Sequence, residues 1–123
     1  MKRIDLKKMS VPELVERFAA LCLGQFQAEF KGEIAKENRF IRQSITVAEE
    51  LKSRTGDQRN ALVPLLDHPN PQVRMMAAQF TLAIAPAAAR QALQDLSDRN
   101  IYPQAADARG TLWALERGDR KPT

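Results

Sequence analysis

Leu62-Val63-Pro64-Leu65-Leu66-Asp67-His68-Pro69-Asn70-Pro71-Gln72-Val73-Arg74-Met75-Met76-Ala77-Ala78 reads as one helical element, a turn, and a second helix opened by proline. Leu62, Leu65 and Leu66 recur at helical spacing, with Pro64 as a local irregularity in an element over roughly 58–66. Pro69 and Pro71 forbid the first helix from continuing. Asn70 is placed to cap, and Pro71 sits at the first helical position, where its missing N–H costs nothing. Beyond it Val73, Ala77, Phe80 and Ile84 recur at spacings of 4, 3 and 4, which makes one inward face over 71–85.

The same grammar returns further on. Leu62, Leu66, Asp67 and Pro71-Gln72 have counterparts in Leu93, Leu96, Asp98 and Pro103-Gln104, offset by 31 residues before the turn and 32 after it. Between them Pro86 breaks the preceding helix and starts another to about Ser97. Pro103 starts a last helix with Ala105, Ala108, Leu112 and Leu115 inward and Trp113 on the flank, and Gly118 ends it. A unit of helix, turn and proline-started helix cannot bury its faces alone and must stack.

Upstream, Ser10-Val11-Pro12-Glu13 is a helix start with a capping box. Leu14, Phe18, Leu21 and Cys22 follow on an apolar face that runs to Phe30, with Gly24 marking a kink or a close helix contact and Gly32 the stop. A second amphipathic helix spans about 34–54, with Ile34, Ile41, Ile45 and Ala48 as its inward stripe, widened by Phe40, Val47 and Leu51. No apolar–polar alternation argues for a strand. These elements make about six helices in antiparallel pairs, an all-α domain over 11–118 with a basic tail at 1–10 and a polar tail at 119–123.

Composition agrees. The chain has 123 residues, 44% hydrophobic and 28% charged, enough for one domain with its own core. Aromatics are 6% while alanines run together, which suits close helix packing better than a sandwich. No long uninterrupted apolar run exists, and no apolar region directly follows the charged start MKRIDLKKMS, so the expectation is a cytoplasmic protein.

Net charge is +4, but residues 1–10 hold +3 of it and 11–102 sum to zero. That distribution argues against nucleic acid, whose binding needs a basic face. The one basic cluster on a helix is Lys36, Arg39 and Arg42, diluted by Glu33 and Glu37. Nucleic-acid binding through that cluster and the tail stays as the second reading, and a small-molecule site beside His68 as the third.

Catalytic chemistry finds little support. One cysteine, Cys22, excludes an internal disulfide and a cysteine-based zinc site, and its place on an apolar face marks a small core residue. One histidine, His68, has only Asp67 beside it, and no phosphate loop or paired-histidine motif occurs. The expectation is no enzyme, no metal and no cofactor.

The quoted stretch resembles a HEAT repeat in its leucine-rich first helix, the Asp and Pro of its turn, the Val73-Arg74 pair and the small alanines after it. The resemblance implies a short α-α superhelix, a HEAT- or armadillo-like solenoid. It also implies a polar ladder between repeats that casts Asp67, Arg74 and Asp98 as structural. Ala106 stands where a second ladder arginine belongs, and a 31–32-residue unit is shorter than the usual ~40–47. The whole chain resembles a small bacterial family known as a domain of unknown function, number twenty-nineteen. That likeness rests on Asn38-Arg39-Phe40, Thr55-Gly56-Asp57, the quoted stretch and Leu112-Trp113-Ala114-Leu115-Glu116.

In such a solenoid the second helices of each pair line a concave groove. Lys36, Arg39 and Gln43, then Gln72, Met75 and Gln79, then Gln104, Asp107 and Arg109 would line it and receive a protein partner, as an adaptor or immunity protein does. Met75 has a second role, filling a gap between helices, which a short chain's need for buried apolar residues favours. The partner is a protein of unknown identity. A homodimer is a further arrangement, because Phe18, Phe26 and Phe30 give the first helix more apolar surface than one neighbour covers.

Overall fold

The computed structural model describes residues 5–123, so Lys2 and Arg3 of the basic tail lie outside the described residues. The described residues are all-α: five α-helices, α1 Val11–Phe30, α2 Ile34–Ser53, α3 Pro71–Thr81, α4 Pro86–Asp98 and α5 Gln104–Arg117, and a sixth helical segment at Gln58–Asp67. That segment is a 3-10 helix, where the sequence suggests an ordinary one. Pro64 lies inside it, and the proline ring clashes with the carbonyl four residues back, which disfavours regular α winding there. The chain divides into two compact units, one ending at Ala61 and one beginning at Leu62.

In the first unit the capping box forms. The Glu13 N–H donates to Ser10 Oγ at 3.2 Å, and the Ser10 N–H donates to the Glu13 carboxylate at 2.9 Å. These bonds hold the Glu13 carboxyl below the usual range, the backbone N–H of Ser10 contributing most. Leu14, Phe18, Leu21, Cys22 and Ala28 of α1 are buried, and α2 packs on α1. Gly24 makes a close helix contact: a Cβ there would stand 2.9 Å from the Phe40 ring. Gly32 turns the chain between the helices at φ +72°, a conformation that costs other residues.

The buried side of α2 is the Val47, Ala48 and Leu51 edge of the expected face, joined by Ser44, and not its isoleucine edge. Ser44, Val47, Ala48 and Leu51 are buried, while Ile34 is 70% exposed and Ile45 36%. The two edges meet at Ala48 with centres about 80° apart on the helix, and the Phe40 ring seated on Gly24 lies on the buried edge. The short 3-10 turn Leu6–Lys8 is tied to the end of α2 by Arg54, which donates to the Leu6 carbonyl at 3.0 Å and to Glu50 at 3.0 Å.

In the second unit, α3 packs against both α4 and α5. The 32-residue offset read from the sequence is the packing register of α3 and α5. Gln104 Nε2 donates to Gln72 Oε1 at 2.9 Å, and Gln79 Nε2 reaches Thr111 Oγ1 at 3.4 Å. Both pairs are 32 residues apart, so the two helices run in the same direction side by side. Asn70 caps α3 through bonds from the Gln72 and Val73 N–H groups. α3 ends at Thr81, four residues short of the sequence expectation, and Leu82–Ala85 form the connection to α4. Pro103 caps α5 rather than opening it. Trp113, expected to anchor a flank, is 60% exposed, because the inward line of α5 is Gln104, Ala108, Thr111 and Leu115.

Candidate interaction surface

The nine residues expected to line a groove divide by burial. Lys36 and Arg39 are exposed on α2 and Gln43 is half-buried. Lys36 sits 3.9 Å from Glu33, a contact between two exposed side chains that contributes little. Gln72, Met75 and Gln104 are 2%, 4% and 1% exposed, so these three face the interior of their unit and no partner. α3 packs against both α4 and α5, and Gln72 and Met75 are buried on it together with Val73 and Ala77. Gln79 is half-buried on Thr111, and Asp107 is exposed.

Arg109 has a different task. Its Nε donates to Ser97 Oγ at 2.9 Å, and its Nη2 donates to the Ser97 carbonyl and to Asn100 Oδ1, both at 2.6 Å. Nη1 donates to the Tyr102 hydroxyl, and the guanidinium lies 5.4 Å from that ring's centre. It clamps the turn between α4 and α5. Arg74 does the same for the turn before α3, donating to the carbonyls of His68 and Pro69 at 2.8 and 2.9 Å. The arginines therefore hold their own turns by backbone and hydroxyl acceptors. Asp67 is exposed and Asp98 accepts from Gln94 at 2.8 Å, so neither aspartate is the arginine's partner and the inferred ladder is not built. The second clamp comes from Arg109, three residues beyond the Ala106 at which it was expected, which puts it nearly on the same helix face.

The residues with chemical potential are occupied structurally. His68 Nδ1 accepts the Asn70 N–H at 3.0 Å, part of the same turn. Cys22 is fully buried, and burial pushes its thiol up to about 12 from 9.0. Below pH 9 the thiol is neutral in both the folded and unfolded chain. Between about 9 and 12 only the unfolded chain ionises, so the stability linked to this group is lost as pH rises through that window. At pH 8 a disulfide-exchange reagent should leave Cys22 untouched in native protein and label it fully in urea. Rapid labelling without denaturant would show the thiol to be accessible. Among the described residues no group of three or more His, Cys, Asp or Glu side chains is arranged to hold a metal ion, and no helix is long and apolar enough to cross a membrane.

Among the described residues, each unit carries a shallow depression. A cleft of about 440 Å³ in the first is lined by Met9, Glu13, Glu16, Arg17, Ala20, Leu21 and Phe40, and Arg17 Nε is buried there without an acceptor. One of about 380 Å³ in the second is lined by Val63, Leu66, Asp67, Ala88, Gln91, Ala92 and Asp95, and His68 is not part of its wall. More prominent are apolar side chains in water. Phe30 is 89% exposed at the end of α1 and Ile34 70% exposed at the start of α2, on either side of the Gly32 turn. The signal for them was present, since a residue one step from a helix stop has no second helix above it. The amphipathic pattern places Ile34 in the core instead, whereas Phe30 is among the residues that give α1 more apolar surface than one neighbour covers.

The protein RPA1889 from Rhodopseudomonas palustris CGA009, known from its crystal structure, is similar at 40% identity and a TM-score of 0.95, over 98% of this chain and 100% of that one. No curated protein matches the chain. The model of the family described as "Domain of unknown function (DUF2019)" matches residues 12–116, nearly the whole helical region from the capping box to the end of α5, and the chain belongs to that family.

Proposed function

We propose that this protein is a non-catalytic protein–protein interaction module of the cytoplasm, a short HEAT-like helical array whose partner contact is centred on the α1–α2 turn. The observation that carries the reading is the exposure of Phe30 and Ile34 on either side of that turn. Large apolar side chains held in water on a rigid hairpin are what a partner's surface covers, and aromatic anchors of this kind dominate binding energy. Lys36, Arg39 and Arg42 supply a charged rim on α2.

The test compares tagged wild type with a Phe30→Ser/Ile34→Ser variant in pull-downs from the source organism at moderate and high salt. The expected result is one dominant protein that survives high salt with wild type and is lost with the variant, both being equally helical by circular dichroism. Retention of that partner by the variant would move the contact elsewhere. Nucleic acid or ribosomal protein released by salt, and released equally by Arg39→Glu/Arg42→Glu, would replace this reading by the basic-surface one.

A further inference from the structure

We propose that the outer face of α5 is a self-association surface that receives α5 of a second copy in antiparallel orientation. Ala106, Gly110, Trp113 and Arg117 follow one another at spacings of 4, 3 and 4, so they form a line along the helix. That line lies opposite the inward residues Gln104, Ala108, Thr111 and Leu115. All four are exposed, Trp113 by 60%.

Gly110 has no explanation inside its own chain. A Cβ there would meet nothing within 4 Å, and the residue has no left-handed backbone to need glycine. In a helix interior glycine is weaker than alanine, so a position that neither packs nor turns is expected to carry a side chain. A glycine there does provide a flat shelf beside Ala106, one turn from a tryptophan that stands in water. The indole is braced rather than loose, for the Arg117 guanidinium lies 4.5 Å from its centre and is itself bonded to Asp119 at 3.2 Å.

The face is complementary to itself. When two α5 helices meet antiparallel with Trp113 of each over Gly110 of the other, Ala106 opposes Arg117. The small half of each stripe receives the large half of its mate, twice, as a two-fold contact requires. Charges agree with this register. Arg109 and Glu116 project on one flank of the stripe, and in the antiparallel pair Arg109 of one copy comes within two residues of Glu116 of the other. Arg109 is bonded to Ser97, Asn100 and Tyr102, none of them a carboxylate, so its charge is open to a partner. Glu116 is exposed.

Trp113 is the chain's one tryptophan, so its emission reports on this face alone. A concentration series followed by sedimentation velocity and by fluorescence should show mass rising from 13.8 kDa towards twice that value, with a blue shift of emission over the same range. Gly110→Leu, whose Cβ would meet nothing within 4 Å, and Glu116→Arg, which sets like charges together, should each weaken association by about tenfold or more. Glu49→Arg on α2 should leave it unchanged, and circular dichroism should show all variants folded. A wild type that stays at 13.8 kDa throughout would overturn the proposal. So would a dimer whose tryptophan emission does not move, or one that Gly110→Leu and Glu116→Arg leave at wild-type strength.

Discussion

Replacing Phe18 by alanine is expected to cost about 4 kcal/mol of folding stability, read as a drop in the urea midpoint at constant slope. The chain has seven aromatic side chains. Phe30, Tyr102 and Trp113 are exposed and Phe26, Phe40 and Phe80 half-buried, which leaves Phe18 as the one aromatic buried completely. Around it the first unit's core is built of smaller groups, with Leu14, Leu21, Cys22, Val47, Ala48 and Leu51 all buried. Removing the ring loses its transfer free energy and leaves a cavity that stiff helices do not close. Phe18→Leu, which keeps most of the volume, should lose well under half as much. A loss below about 1.5 kcal/mol for the alanine variant would mean that the site collapses or is wet, contrary to the burial described above.

The second expected effect lies in the amide pair between α3 and α5. Gln104→Leu and Gln72→Leu should each destabilise by about 2 kcal/mol, whereas the double variant should lie within about 1 kcal/mol of wild type. Gln104 gives one N–H to Gln72, and the remaining atoms of the pair, Gln72 Nε2 and Gln104 Oε1, are buried without partners. Taking away one amide leaves the other wholly unsatisfied in a site closed to bulk water. Taking away both removes the bond and the two orphaned atoms together, and leucine fills nearly the same volume. Thermal or urea unfolding of the four proteins decides it. If the double variant loses the sum of the singles, the two glutamines act independently and the bond is not what holds the register.

The local signals were legible because they depend on near neighbours in the chain. Ser10 and Glu13 name each other as a capping box, Asn70-Pro71 names a helix start, and Gly32 names a stop. The repeat was legible too, as two Pro-Gln pairs a fixed distance apart. That those glutamines bond to each other was not, since sequence similarity at an offset does not say whether the copies touch. The same limit explains the expected groove. Gln72, Met75 and Gln104 are amphipathic enough for a binding surface, and only the packing of α4 and α5 around α3 turns them inward.

Side selection on each helix was likewise a tertiary decision. α2 has one broad apolar face from its isoleucines to Phe40, Val47 and Leu51, and composition does not say which edge is buried. The contact between Phe40 and Gly24 turns the Phe40 edge inward and leaves Ile34 in water. For α5 the line of small and polar residues faces in, because small side chains such as Ala108 let helices pack closely side by side, and Trp113 is left outside. The sequence by itself determined the all-α class and the cap signals at Ser10, Gly32, Asn70 and Gly118, all of them products of backbone sterics and hydrogen bonding within a few residues. Which face of each helix is buried, and therefore which residues are free to meet a partner, was decided only by tertiary structure. That choice is made by the shape of a neighbouring helix, which hydrophobic periodicity does not encode.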